Sequence, residues 1–458
     1  MTRSESSPST DPASCPPLRA RRSAPLRGKC GVPGDKSISH RALLFGALCD
    51  GPVVIDGIGR GGDNASTARA LSALGAAVTI EGARAEVRGV GLGGFRAAAA
   101  ALDCGNSGTT IRLLTGLLSG QPFETELFGD ASLTRRPMLR LALPLRQMGA
   151  DITGRADPAK PHEIYPPLRI RGGQLRGLQA TLPVASAQLK SALVLAALQA
   201  EGPSEIVEPG LSRDHTERML RFLGAPIVAD PDRHAVRVDP TGWNRVLRAS
   251  GMVVPGDLSS AAFLMVAAAI VPGSDVSIEG VGLNPTRSGV IDALRAMGAD
   301  LTVTITGEAM GEPVGTIQVR TSRLRGTRIG GALALRAIDE IPALAMAAAL
   351  AEGETVFSDL HELRVKESDR IASLARELTR AGVTVVERPD GLTVTGRAGE
   401  GGKLRGGTVQ PMHDHRVAMS GAILGLVAEE ETIVPAEEIA TSFPSFAETL
   451  RGLGASLT

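Results

Sequence analysis

One pattern of apolar and polar positions recurs six times along the chain. A helix-like stretch ends in Leu-Gly-Ala, Met-Gly-Ala or, once, Ala-Gly-Val, and a short β-prone run follows. The copies are Leu74-Gly75-Ala76 before Val78-Thr79-Ile80, Met148-Gly149-Ala150 before Ile152, and Leu223-Gly224-Ala225 before Ile227-Val228. Met297-Gly298-Ala299 before Leu301-Thr302-Val303, Ala381-Gly382-Val383 before Thr384-Val385-Val386, and Leu453-Gly454-Ala455 complete the set. Successive glycines lie 74, 75, 74, 84 and 72 residues apart. Each stands where a helix C-terminus needs a left-handed residue, and the strand after it is the αβ step of an α/β unit. The interval is too long for a solenoid repeat and suits a small βαβ-type subdomain.

A second echo divides the chain. Gly256-Asp257-Leu258-Ser259-Ser260 before an Ala-rich helix mirrors Gly34-Asp35-Lys36-Ser37-Ile38 before its own helix. The halves meet near Pro33 and Pro255, with three units in each. Residues 26–33 plus 256–458 are expected to form one discontinuous domain and residues 34–255 the other. Two crossings between them predict a hinge, with a ligand cleft between the halves. Residues 1–25, rich in Ser, Pro and Arg, are expected to be a disordered tail.

Composition narrows the function classes. The 458 residues carry 49 basic and 49 acidic side chains, a balance that argues against binding nucleic acid or membranes by bulk charge. Aromatic residues make up only 2%, too few for base-stacking platforms. Cys15, Cys30, Cys49 and Cys104 are widely spaced, with neither a disulfide framework nor metal-ligand spacing. The longest uncharged run, Leu258 to Ser274, is too short for a membrane span and contains Pro272.

The chemistry gathers at helix starts. Gly34-Asp35-Lys36-Ser37-Ile38-Ser39-His40-Arg41 puts two cations and two hydroxyls where orphan N–H groups favour an anion; Asp35, Ser37 or Ser39 could cap the helix. Asp103-Cys104-Gly105-Asn106-Ser107-Gly108-Thr109 with Arg112, the pair Arg135-Arg136 before Pro137, Ser186-Ala187-Gln188-Leu189-Lys190, and Ser212-Arg213-Asp214-His215 have the same character. In the second half, Asp339-Glu340 precede an apolar helix over 343–351. Lys366 and Arg370 are read as i,i+4 neighbours with Glu367 on one helix face. His413-Asp414-His415-Arg416 opens a helix over 417–426; its i,i+2 histidines do not share a face, which argues against a metal. Cations thus recur at helix starts in five of the six units, a focused site for a small polyanion.

These motifs, with Arg364-Val365-Lys366-Glu367-Ser368-Asp369-Arg370 and Asp414-His415-Arg416, resemble the 5-enolpyruvylshikimate-3-phosphate (EPSP) synthase family over about residues 28–458. Ser212-Arg213-Asp214-His215-Thr216-Glu217 and Ile338-Asp339-Glu340 are closer to its class II members. The resemblance implies an α/β enolpyruvyl transferase fold of two domains, each of three βαβαββ-like units, with the active site in the interdomain cleft. It implies transfer of the enolpyruvyl group of phosphoenolpyruvate to the 5-hydroxyl of shikimate 3-phosphate, through a tetrahedral ketal, without metal or cofactor. Carried over by position, Lys36, Gly108, Arg136, Gln188, Arg370 and Arg416 hold phosphoenolpyruvate. Lys36, Ser37, Arg41, Ser186, Ala187, Gln188, Arg213, Asp339 and Lys366 hold shikimate 3-phosphate. Asp339 is the base toward the 5-hydroxyl, Glu367 moves the proton at the methylene carbon, and Lys36 assists phosphate departure.

The resemblance further implies a cytoplasmic monomer whose partners are its small-molecule substrates. Two positions depart from the family pattern. Ala187 replaces a second serine, leaving a main-chain contact only. Thr441 stands where class I members carry a phosphoenolpyruvate-binding lysine, which shifts that charge to Arg370 and Arg416. Gly108, where glyphosate-tolerant relatives have alanine, predicts sensitivity to that inhibitor. The sister family acting on UDP-N-acetylglucosamine carries a reactive cysteine where this chain has Ala131, and lacks Ser39-His40-Arg41.

Overall fold

The computed structural model describes residues 16–398 and 403–458. All six repeat glycines adopt positive φ, from 85° at Gly224 and Gly298 to 119° at Gly149. A side chain there would be strained, which is why glycine marks the end of each unit's second helix.

The second repeat displays the unit in full. Strand Leu102–Asp103, helix Gly108–Leu118, strand Glu124–Phe128, helix Leu139–Met148 and strands Asp151–Asp157 and Lys160–Arg171 follow in order. The first two strands pair parallel and the last two form an antiparallel hairpin, so the sheet order is first, second, fourth, third. Four other sheets repeat that order, and two of them borrow a strand from the far end of the chain. Gly251–Val253 pairs with Asp50–Asp56 in the first repeat, and Arg27–Cys30 pairs with Asp275–Gly282 in the fourth.

The sixth sheet differs. Strands Gly407–Thr408 and Thr432–Val434 take the first two places, and Leu18–Ala20 takes the place of the fourth strand, antiparallel to Thr432–Val434. Leu457 bridges Ala20 where the third strand belongs. Leu18 and Ala20 point into the core and Arg19 points out, the alternation of a half-buried strand. The Ser23 N–H donates to the Leu426 carbonyl at 2.8 Å. The expected disorder through residue 25 is therefore wrong for 18–25, because Leu18–Ala20 complete a sheet and the N–H groups of Arg21 and Ser23 bond the Ser456 and Leu426 carbonyls; residues 1–15 lie outside the described residues.

The buried apolar side chains form two clusters. One joins Leu18, Ala20 and Leu26 to residues from Leu258 to Leu457; the other runs from Ile38 to Val254. We call these lobe one and lobe two. Helices Leu258–Ile270 and Ile341–Ala349 are buried all round and form the centre of lobe one. Met310, at the tip of the hairpin Asp300–Ala309 and Glu312–Arg320, is the one lobe-one side chain seated in the other cluster.

The crossings are near mirror images. The Asp35 N–H donates to the Pro255 carbonyl and the Asp257 N–H to the Pro33 carbonyl, both at 2.8 Å. Gly34 passes so close to the Gly57 carbonyl that a Cβ would overlap it, so the packing there admits only glycine. The Asp35 side chain caps helix Lys36–Leu48 through the Ile38 N–H, and Asp257 caps helix Leu258–Ile270 through the Ser259 N–H. Arg287 binds both aspartates, at 2.6 Å in the case of Asp257. Among the described residues, no helix is long and apolar enough to cross a membrane.

Candidate active site

The helix starts converge on one cleft between the lobes, a cavity of about 220 Å³. Lobe two supplies Lys36, Ser37 and Arg41 from its first helix, Gly108 from its third, and Arg136 after the 3₁₀ turn Leu133–Arg135. Ser186 is the cap and Ala187 and Gln188 the first residues of helix Ala187–Ala197, and Arg213 comes from the loop ahead of helix His215–Phe222. Lobe one supplies Asp339 from the turn before helix Ile341–Ala349, Lys366 and Glu367 after the 3₁₀ turn His361–Val365, and Arg416 from helix His415–Gly425.

One predicted site residue is not on the cavity wall. Arg370 is 1% exposed and lies behind it, with Nε on Asp414 at 2.7 Å, Nη2 on Glu367 at 2.6 Å and Nη1 on Asp339 at 3.4 Å. Carboxylates thus engage all three of its nitrogens, with Nη1 making only the one long contact. Lys366 and Arg370 also do not share a helix face. Lys366 ends the 3₁₀ turn, Asp369 caps a new helix through the Ala372 N–H, and Arg370 is that helix's first residue. Helices expected over 343–351 and 417–426 each begin two residues earlier, because Pro342 is accepted in the first turn and Asp414 is the cap. Thr441 and Ala131 are not on the wall.

The charges are interleaved. Arg213 reaches across the lobes to Asp339 at 2.8 Å, and Lys366 approaches the same carboxylate at 3.5 Å. Arg140 crosses to Glu362 at 3.1 Å. Burial favours the neutral form of Asp339, yet Lys366, Arg213, Arg416 and Arg370 together hold its carboxyl well below the usual range. Glu367 behaves alike: burial raises it, but Arg370, Arg136, His415 and Lys36 hold it well below the usual range. Both are therefore carboxylates at neutral pH. Lys36 pairs with Asp63, whose own carboxyl is held down against burial by Lys36 and His40.

Gly108 is the narrow point. A Cβ there would lie 2.5 Å from Arg112 Nη1 and 2.8 Å from Arg136 Nη1. Arg136 is aimed by Asn106, whose side-chain oxygen accepts from Nη2 at 2.7 Å. Arg112 donates to Gln188 Oε1 at 2.8 Å, and burial beside Arg136 and Arg140 pushes it down to about 9. On the opposite side, Arg41 is held by the Thr216 hydroxyl at 2.7 Å, the Ser191 hydroxyl at 2.8 Å and the Ser37 carbonyl at 3.0 Å.

Residues not singled out from sequence also line the wall: Asp63, Arg140, Arg287 and Glu362; His415, read in its motif but given no role, lines it too. Asp63 in Gly61-Gly62-Asp63-Asn64 and Arg287 in Asn284-Pro285-Thr286-Arg287 precede helices as the chosen motifs do, so that signal was present. His415 is buried and pushed down to about 4 by desolvation and by Lys36 and Arg416. His413 is exposed and bonds Glu438 instead. Among the described residues, no group of three His, Cys, Asp or Glu side chains is placed to hold a metal.

Residues 20–450 match the family model described as EPSP synthase (3-phosphoshikimate 1-carboxyvinyltransferase). The chain belongs to the EPSP synthase family. It is 52% identical to the 3-phosphoshikimate 1-carboxyvinyltransferase of Gloeobacter violaceus, over 93% of this chain and 96% of that protein. With the enzyme of Geotalea daltonii it shares 49%, over 93% and 97%. The EPSP synthase structure from Acinetobacter baumannii superimposes with a TM-score of 0.84 at 42% identity, covering 96% of this chain and 99% of that one. The enolpyruvyl transferase NikO from Streptomyces tendae shares the fold, with a TM-score of 0.74 at 18% identity over 97% and 98%. The α/β enolpyruvyl transferase fold implied by the resemblance is the one observed, and its six small sheets match the six copies counted in the sequence.

Proposed function

We propose that this family member transfers the enolpyruvyl group of phosphoenolpyruvate to the 5-hydroxyl of shikimate 3-phosphate and releases phosphate. The observation that carries the reading is the pair of carboxylates, Asp339 and Glu367, set among cations from both lobes in one cleft. Two anionic substrates repel each other, and only such a cationic enclosure brings them together and keeps water out.

In this scheme Ser37, Arg41, Ser186, the Ala187 main chain, Gln188, Arg213 and Lys366 hold shikimate 3-phosphate. Lys36, Gly108, Arg136, Gln188 and Arg416 hold phosphoenolpyruvate, with Arg370 orienting the carboxylates behind them. Asp339 takes the 5-hydroxyl proton as that oxygen bonds to C2 of phosphoenolpyruvate, while Glu367, which takes up a proton from solvent once bound phosphoenolpyruvate offsets Lys36 and Arg136 beside it, delivers that proton to the methylene carbon. The tetrahedral ketal then collapses: Glu367 takes a proton back from the methyl group, and the C2–O bond to phosphate breaks with help from Lys36. Substrate anions neutralise Lys366, Arg213 and Arg416, which lets the depressed Asp339 carboxyl rise toward the strength a base needs.

The two apolar clusters support a division into residues 26–33 plus 256–458 and residues 34–255, with the paired crossings at Asp35 and Asp257 as hinge. The reading includes a cytoplasmic monomer that needs no cofactor and is sensitive to glyphosate at Gly108. The test is phosphate release from phosphoenolpyruvate, with shikimate 3-phosphate and UDP-N-acetylglucosamine as alternative acceptors. Release with the first alone is expected; release with the second alone overturns the assignment.

A further inference from the structure

Behind the loops assigned to shikimate 3-phosphate lies a buried ionic cluster that the scheme above does not use. Lys190, 2% exposed, contacts Glu208 and Glu217 at 2.8 Å each, and both carboxylates are as deeply buried as the ammonium. The two glutamates differ in what else they touch. Glu208 Oε1 accepts the backbone N–H of Ser186 at 2.9 Å, and its Oε2 accepts the Ser212 hydroxyl at 2.8 Å. Glu217 sits inside helix His215–Phe222, and its second oxygen has no partner.

We infer that Glu208 is a positioning residue that fixes the spacing of the two loops on which Ser186–Gln188 and Ser212–Arg213 are carried. The inference rests on the functional reading above. One carboxylate spans both loops, and each loop opens a helix whose N-terminus faces the cleft. Ser186 in turn caps helix Ala187–Ala197 through the Leu189 N–H. The Ser191 hydroxyl of that helix meets the Thr216 hydroxyl of the next at 2.6 Å, with Arg41 held between them. The two oxygens of Glu208 thus accept from a backbone N–H, a hydroxyl and an ammonium together, a set that a carboxylate can serve and a single amide oxygen cannot.

Glu208→Gln isolates this role. An amide has one accepting oxygen, so whichever way it turns, its NH₂ confronts either the Ser186 N–H or the Lys190 ammonium. Glu217→Gln removes one negative charge from the same ammonium without touching either loop. It is the matched control for a purely structural cluster.

The experiment measures kcat and both KM values for the wild type and the two variants. Glu208→Gln is expected to raise KM for shikimate 3-phosphate about ten- to a hundredfold, the scale of a lost hydrogen bond to a charged group, with kcat and KM for phosphoenolpyruvate within about threefold. Glu217→Gln is expected to leave all three within about threefold. Equal rises in the two variants, or no rise in Glu208→Gln, overturn the inference. Should Glu208→Gln fail to fold, amide hydrogen exchange on the substrate-free wild type decides: a slowly exchanging Ser186 N–H upholds the clamp, and exchange at the rate of an open loop overturns it. That measurement needs no substrate. A wild type that releases no phosphate would therefore count against the function and leave the clamp to be judged separately.

Discussion

The two lobes share a fold but present opposite charge to the cleft. Lobe two lines it with six cations and one carboxylate, Asp63, already paired with Lys36; lobe one lines it with three cations and four carboxylates. The repeats explain the common framework, a helix start aimed inward in each unit. The side chains at those starts divide the work. In the proposed scheme lobe two supplies most of the binding groups, as hydroxyls, amides and cations, whereas both proton-moving carboxylates come from lobe one. The unlike lobes pair directly, as Arg213 does with Asp339 and Arg140 with Glu362.

The largest expected effect separates these roles. Asp339→Ala and Glu367→Gln should each lower kcat by about 10²- to 10⁴-fold, the usual weight of a general acid or base. Binding of shikimate 3-phosphate, measured by calorimetry, should persist because lobe two is intact. Near-normal turnover in either variant would remove that carboxylate from the mechanism. Loss of binding in step with kcat would erase the division between lobes.

Next in size is the join itself. Arg287 is 2% exposed and holds the capping aspartates of both crossings. Arg287→Met strands two buried carboxylates, and removing one partner of a buried ion pair costs about 3–5 kcal/mol. Urea unfolding should show that loss, and adding Asp35→Asn and Asp257→Asn should recover part of it. An unchanged unfolding midpoint would mean that the crossings do not depend on this arginine.

The framework was more legible in the sequence than the wiring. Six glycines at near-constant intervals announce left-handed caps, because few other residues accept that backbone, and all six are left-handed. Helix starts rich in Ser, Asp, Lys and Arg were readable for the same local reason. The strand Leu18–Ala20 was not, since its partner lies more than 400 residues away and its neighbours are Pro, Ser and Arg. Lys366 and Arg370 satisfy an i,i+4 pattern that cannot reveal the fresh helix cap at Asp369 between them. Asp63 and Arg287 each occupy an ordinary helix start; only three-dimensional convergence distinguishes them.

A pH series sharpens the comparison with one buried histidine from each lobe. Desolvation pushes His40, on lobe two, from 6.5 down to about 3, and His415, on lobe one, down to about 4. Below about pH 6.5 the unfolded chain takes up a proton at each position and the folded protein does not, so stability falls as pH falls. Each histidine contributes a slope of about 1.4 kcal/mol per pH unit down to its folded value. Carboxyls held low, such as Asp63 and Glu312, begin to lose their contribution only below the ordinary range near 4. Urea unfolding at pH 7, 6 and 5 should therefore show a decline before the carboxyls held low begin to titrate, and His40→Asn should remove about half of it. A flat profile across that window would mean the histidines are protonated in the folded protein.

The smallest expected effect tests whether the two substrates depend on separate parts of lobe two. In Gly108→Ala the new methyl group would lie 2.5 Å from Arg112 Nη1 and 2.8 Å from Arg136 Nη1, so these flexible side-chain ends must shift aside. Folding should be unaffected, because the added group displaces guanidinium tips rather than backbone. The displaced tips face the place assigned to phosphoenolpyruvate, so its KM should rise about tenfold, or about 1.4 kcal/mol, while KM for shikimate 3-phosphate stays put. Inhibition by glyphosate, which the scheme seats against the same arginines, should weaken in step. If KM for shikimate 3-phosphate rose instead, Arg112 would be acting through its 2.8 Å bond to Gln188, and the two halves of the lobe-two surface would be one coupled site.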